Sequence, residues 1–221
     1  MKNTKINGCM LFRDISETEL NKLLECIKPT VKFYKKGEII LSEGDYINTI
    51  GVVVSGAVQI IREDFYGNRS ILAEIGVNGT FAETFPFVKV ERLPVSVAAE
   101  TNCEIMFIDH IAITTGCAEA CGFHSKMIEN LLHIIAKKNL ELSEKIQHMS
   151  ERNTRDKLLS YLFTQAKEAG SRDFSIPFDR QELADYLCVE RSAMSNELSK
   201  LRREGIIECK KNNFKILRKQ V

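Results

Sequence analysis

The chain has 221 residues, of which 44% are apolar, enough to fill real cores, so intrinsic disorder is excluded. Its 31 Lys+Arg against 30 Asp+Glu leave a formal net charge of +1, which excludes a general polycation that coats nucleic acid or anionic lipid; any such surface must be local. No run approaches the roughly 18 apolar residues of a membrane span, and residues 1–7 lack an apolar export core, so no membrane partner and a cytoplasmic location are expected.

Ser16 and Glu19 form a capping box, and Leu20, Leu23, Leu24 and Ile27 follow at helical spacing, which predicts a short helix over 16–27. From Val31 to Ile108 the texture changes to brief β-rich runs such as 51–55 and 57–61, broken at Gly37, Gly44, Gly56, Gly67, Gly76 and Gly79. Strands at about ten-residue intervals predict a compact antiparallel barrel or roll. Residues 64–69 read as a hairpin connection between strands at 58–61 and 70–75, with Gly67 able to supply a positive φ.

Beyond Gly122 the apolar period lengthens. Ile128, Leu132, Ile135, Asn139, Leu142, Ile146 and Met149 recur at alternating intervals of four and three, a coiled-coil seam over three heptads. A buried Asn139 facing its twin fixes register and a two-stranded state, so a parallel homodimer is expected. Leu131 and Ile134, beside the seam, are expected to lay the same helix on its own β-domain.

The segment 152–170 is helical by pattern, and a short strand follows around Phe174. Asp179 is an N-cap for a helix over 180–187, and Cys188 and Val189 separate it from a second helix over 190–204 closed by Gly205. Two short helices across a tight turn are a helix-turn-helix. Leu183, Ala184, Leu187, Ala193, Met194, Leu198 and Leu201 are expected to face inward, leaving Arg191, Ser192, Ser195, Asn196 and Ser199 outside. Strands at 206–209 and 214–217 around Lys210-Lys-Asn-Asn213 form a wing. The first-turn residues Arg191 and Ser192, with Asn196 one turn on, suit base edges, Arg favouring guanine and Asn adenine. Charge agrees: residues 1–150 carry net −3, whereas residues 191–221 carry nine Lys+Arg against three Asp+Glu, net +6. Double-stranded DNA is the expected partner. The class is thus α+β, with an effector-sensing β-roll over 1–122, a dimerisation helix over 123–150 and a winged helix-turn-helix over 151–221.

With these residues in view the chain resembles the Crp/Fnr family of bacterial transcription regulators. The resemblance is carried by Lys36-Gly-Glu-Ile-Ile-Leu-Ser-Glu-Gly-Asp45, Val53-Val-Ser-Gly-Ala-Val58, Gly79-Thr-Phe-Ala-Glu83, and Arg180-Gln-Glu-Leu-Ala-Asp-Tyr-Leu joined to Arg191-Ser-Ala-Met-Ser-Asn-Glu-Leu, in order over about residues 10–218. It implies a cyclic-nucleotide-binding-type roll and a dimer on a palindromic site, with RNA polymerase as a further partner. It also implies base reading by Arg191, Ser192 and Asn196 and phosphate contacts from Arg180, Gln181 and Ser195. Lys200, Lys210 and Lys211 join that phosphate set through the local positive charge. Asn196 stands where the family usually has Arg, which implies a different half-site.

The effector is less legible. Cyclic-nucleotide members end this region in Arg-Ser, because a cyclic phosphate needs a guanidinium fork and a hydroxyl. This chain has Leu93-Pro94 there and Ala82 for a glycine, and the adjacent Arg92 is expected to point the other way on an extended strand, so cyclic AMP is not expected. An unidentified small molecule near Ala82, Glu83, Thr84 and Arg92 is the candidate effector, Glu83 binding a ribose-like hydroxyl; a roll carboxylate bonded by backbone N–H groups is the plainer reading of Glu83. The compact N-terminal cysteine group of the oxygen-sensing branch is missing, since that region has only Cys9 and Cys26. Cys117, Cys121 and His124 share a helix face if the helix persists past Gly122, and could hold zinc, iron or haem or serve as a thiol redox switch; buried cysteines with a surface histidine are the plainer reading. Cys103, Cys188 and Cys209 read as core fillers. No nucleophile elbow, P-loop, GxGxxG or His-Glu-x-x-His occurs, so catalysis is not expected. The competing reading is a small-ligand or metal/redox module whose winged helix mediates protein contacts.

Overall fold

The computed structural model describes residues 6, 8–63, 69–88, 92–115 and 122–218. Cys117 and Cys121, and the expected hairpin connection at 64–68 with its Gly67, lie outside the described residues. The chain divides into two units, Met1–Lys137 and Lys138–Val221.

In the first unit, helix α1 (Glu17–Ile27) starts at the predicted capping box: the Glu19 N–H donates to Ser16 Oγ at 3.4 Å and the Ser16 N–H to Glu19 Oε2 at 2.9 Å. Strands β1 (Thr30–Tyr34), β2 (Ile39–Leu41), β3 (Thr49–Ser55), β4 (Val58–Glu63), β5 (Arg69–Ile75), β6 (Thr80–Phe81), β7 (Ser96–Ala99) and β8 (Cys103–Asp109) follow. They form two antiparallel four-stranded sheets, ordered β1-β8-β3-β6 and β2-β7-β4-β5, which is the expected roll. Period-two alternation puts opposite residues of β3 and β8 into different cores. Val53, Ile105 and Phe107 join Val58, Phe81, Leu93 and Val97 inside the roll. Ile50, Val52, Val54, Met106 and Ile108 instead face a second core made with Leu20, Leu23 and Ile27 of α1, Ile113 of α2 (His110–Thr114), and Met127, Leu131 and Ile134 of α3 (Gly122–Ser150). Gly51 makes room for the Phe81 ring: a Cβ there would lie 2.1 Å from Cζ of Phe81 and would force the buried ring to move.

Leu131 and Ile134 thus lay α3 on the β-domain as expected, and the same contact half-buries the seam residues Ile128 and Ile135. Further along, Leu132, Leu142 and Ile146 are 63%, 60% and 65% exposed, while Asn139 is exposed and Met149 half-buried. The heptad pattern therefore marks a stripe that the protomer's own core leaves largely uncovered.

The second unit contains helix α4 (Thr154–Glu168), strand β9 (Asp173–Ser175), helices α5 (Arg180–Tyr186) and α6 (Arg191–Arg203), and strands β10 (Ile207–Lys210) and β11 (Asn213–Ile216). Asp179 caps α5 by accepting from the N–H groups of Gln181 (2.7 Å) and Glu182 (2.9 Å), and the Glu182 carboxylate returns to the Asp179 N–H at 2.6 Å. Gly205, at φ +67°, ends α6 with the Ile206 N–H bonded to the Leu201 carbonyl at 3.0 Å. The wing is the β10–β11 hairpin, and β9 pairs with β11 to make it three-stranded, order β10-β11-β9. Leu183, Ala184, Leu187, Met194, Leu198 and Leu201 all enter one core with Leu158, Leu162, Phe174, Ile207 and Phe214. Two inward assignments need correction. Ala193 is only half-buried, because it lies at the margin of the apolar stripe beside Met194. Cys188 is no core filler: it is exposed at φ +51° in the turn between α5 and α6, where its backbone reverses the chain. Cys103 is buried in the roll and Cys209 packs half-buried on the core of the second unit, as expected.

Candidate nucleic-acid interface and roll residues

The helix-turn-helix is built by opposite faces of α6. Burial of Met194, Leu198 and Leu201 turns Arg191, Ser192, Asn196, Ser199 and Lys200 to the surface, with Ser195 half-buried beside them. Ser199 Oγ donates back to the Ser195 carbonyl at 3.0 Å, and Lys200 pairs with Glu197 at 2.5 Å. The N-cap residue Glu190 makes no side-chain cap bond, unlike Asp179 on α5. Arg202, Arg203, Lys210, Lys211, Lys215 and Arg218 are also exposed.

Helix α6 also carries a charged cluster to α4 that sequence reading missed. Arg155 of α4 donates both guanidinium nitrogens to the Glu204 carboxylate at the far end of α6 and approaches Glu197 at 4.0 Å. The Arg155 guanidinium holds the Glu204 carboxyl below the usual carboxylate range, and the pair raises the Arg155 pKa in turn. No signal in the sequence pointed to it, because Arg155 and Glu204 lie on different helices 49 residues apart.

The expected phosphate-contact residues occupy varied settings. Gln181 donates to Asp185 Oδ1 at 2.9 Å on α5, and Lys210 and Lys211 stand at the wing tip. Arg180 is half-buried: its Nη2 donates to the Lys211 carbonyl at 2.9 Å and its guanidinium lies 5.0 Å from the Phe214 ring.

In the roll, Ala82 is buried at φ +59°, the left-handed conformation for which glycine is the usual choice, Glu83 is buried and Thr84 exposed. Arg92 points outward and donates to the Gly44 carbonyl at 3.0 Å, so it closes a loop instead of facing the roll interior. Leu93 is 3% exposed within the roll core, and Pro94 offers no N–H. A cyclic phosphate does not fit that position, since it finds there neither a guanidinium nor a hydroxyl.

His124 is buried, which corrects its reading as a surface histidine; it lies against Phe123 at 5.7 Å, and burial lowers its pKa. Among the described residues no three His, Cys, Asp or Glu side chains group as metal ligands. Burial raises the thiol pKa of Cys9 and of Cys103, which disfavours the thiolate at both. Asn130 was not anticipated: buried on α3, its Nδ2 donates to the carbonyls of Leu11 (3.2 Å) and Arg13 (2.8 Å), tying the N-terminal segment to the helix.

Comparison with known proteins now decides the family. Residues 31–119 match the cyclic nucleotide-binding domain and residues 156–220 the Crp-like helix-turn-helix domain. The chain belongs to the Crp/Fnr family of transcription regulators. The transcriptional activator protein FnrA of Stutzerimonas stutzeri is 20% identical, covering 98% of this chain and 88% of FnrA. Electron transport regulator A of Shewanella oneidensis is 23% identical over 87% of this chain and 75% of its own length. Among solved structures, a CprK protein complexed with OCPA superposes with a TM-score of 0.68 at 16% identity, covering 89% of this chain and 91% of that one. At these identities the superposition speaks for the shared fold. As a Crp/Fnr regulator the chain is not an enzyme, and no helix among the described residues is long and apolar enough to cross a membrane.

Proposed function

We propose that this Crp/Fnr regulator is a homodimer that binds a palindromic double-stranded DNA site, reads bases through Arg191, Ser192 and Asn196, and is gated by an effector sensed in the N-terminal unit. The observation that carries the reading is the exposed small-polar face of α6, backed by a fully apolar opposite face and surrounded by the basic residues of the wing. Ser195, Lys200, Lys210 and Lys211 supply phosphate contacts with Gln181. The uncovered Leu132, Leu142 and Ile146 stripe supports a second copy as its partner, and the exposed Asn139 on the same seam sets the register. The buried Leu93 favours an effector other than a cyclic nucleotide, held near Ala82, Glu83 and Thr84, while Cys117, Cys121 and His124 form a second candidate for effector input as a metal or thiol site. RNA polymerase is the further partner that this reading implies.

The test is selection from a random duplex pool by the full-length chain. The expected product is a palindrome with half-site centres about 10 bp apart, bound with a steep salt dependence. Failure to enrich any sequence, with only weak uniform retention, would turn the winged helix into a protein-contact module.

A further inference from the structure

The wing tip is tight. Lys210 pairs with Asn213, leaving a two-residue loop whose first residue, Lys211, stands at φ +53°, the positive φ that such a hairpin turn asks of that position and that a residue with a Cβ adopts at a cost. Three ties hold the tip in place. The Ile176 N–H donates to the Asn212 carbonyl at 3.0 Å, Ser175 Oγ meets Asn213 Oδ1 at 2.5 Å, and Arg180 Nη2 donates to the Lys211 carbonyl at 2.9 Å. Only the last comes from the helix-turn-helix. The guanidinium plane that makes it lies 5.0 Å from the Phe214 ring, itself packed on Phe174 in the core, which leaves the side chain little freedom to swing toward a ligand.

We infer that Arg180 is a positioning residue that anchors the wing tip to the first residue of α5 and so presents Lys210 and Lys211 to the DNA backbone, rather than being itself a phosphate contact. Arg suits the position because one delocalised group bonds the Lys211 carbonyl and lies over the Phe214 ring at the same time; an ammonium on a lysine stem keeps the charge but is a compact point charge without the planar fork. The inference rests on the DNA-binding reading for its consequence, though not for its geometry.

Two measurements on the full-length chain decide it. In the free protein, amide hydrogen exchange is compared between wild type, Arg180→Lys and Arg180→Ala. Faster exchange across Glu208–Lys215 in both variants, with unchanged protection at Met194 and Leu198, is expected; wild-type wing exchange in Arg180→Lys overturns the inference whether or not DNA binds. Preserved α6 protection also shows that the variant folds. On the duplex enriched by selection, the slope of log affinity against log salt is compared with that of Lys210→Ala/Lys211→Ala. Arg180→Lys is expected to lower the slope by about 1.8 per protomer, two lost phosphate contacts, and to add nothing further in the combined variant. If Arg180→Lys keeps the wild-type slope while Arg180→Ala loses about 0.9, Arg180 is an ordinary phosphate contact. If wild type binds no duplex, the functional reading falls while the exchange result still decides whether Arg180 holds the wing.

Discussion

Asn196 stands on the exposed face of α6, one turn beyond Arg191 and Ser192, and its amide matches the donor–acceptor pair of an adenine edge. Asn196→Ala is expected to weaken binding to the selected duplex by about 1–3 kcal/mol and to relax preference at one base pair, with affinity for random duplex unchanged. An equal loss on both duplexes would reduce Asn196 to a backbone contact. His148 behaves differently. It is 2% exposed in the last turn of α3, its Nδ1 is 2.8 Å from Ser160 Oγ, and its ring meets Tyr161 edge-on at 5.8 Å. Burial pushes its pKa below the ordinary value, opposed by the nearby Glu144, Glu168 and Glu151 carboxylates. The unfolded chain therefore takes up this proton first as pH falls. The stability His148 contributes is complete above about pH 6.5 and is lost as pH drops through that value toward the lowered folded pKa. Thermal melts of wild type should lose stability between about pH 7.5 and 5.5, and His148→Gln should flatten that part of the profile; a parallel decline in both would assign the loss to other groups.

At the scale of elements, short helices depend on their ends. Helix α5 has seven residues, and Asp179 satisfies two of its first amides. Asp179→Ala is expected to cost about 1 kcal/mol, a fall of several degrees in the midpoint of thermal unfolding, and to raise amide exchange in α5 before α4; an unchanged midpoint would show that packing alone holds the helix. Caps of this kind were readable in advance, because the bonding groups lie three residues apart: Ser16 with Glu19, and Asp179 as the start of α5. The pairing of β9 with β11 was not. Phe174 faces Phe214 across forty residues of chain, and a three-residue strand carries too little alternation to declare its partner. The Asn130 bonds to the carbonyls of Leu11 and Arg13 were hidden for the same reason.

At the scale of the molecule, the proposed dimer rests on the seam on α3. The β-domain takes Met127, Leu131 and Ile134 and half of Ile128 and Ile135, but leaves Leu142 and Ile146 in solvent. Burying one such side chain is worth about 1.5–3 kcal/mol, and a two-fold dimer buries it twice. Ile146→Glu is therefore expected to weaken dimerisation by about 100-fold or more in sedimentation equilibrium and to abolish tight binding to the palindrome while sparing the fold; a variant that remains dimeric would remove the seam from the interface.

What the sequence determined by itself is everything that short-range periodicity encodes: the roll-then-helix-then-winged-helix order, the capped starts of α1 and α5, the inward faces of α5 and α6, and the local excess of positive charge at residues 191–221. Steric period and capping act over two to seven residues, so they are legible in a string. Tertiary structure alone decided that Leu93 fills the roll core, that the outward Arg92 finds the Gly44 carbonyl, that Arg155 bonds Glu204, that Arg180 reaches the wing tip, and that His124 and His148 are buried. Each of these depends on which distant segment comes within hydrogen-bond or van der Waals distance, and that is set by packing the whole chain at once.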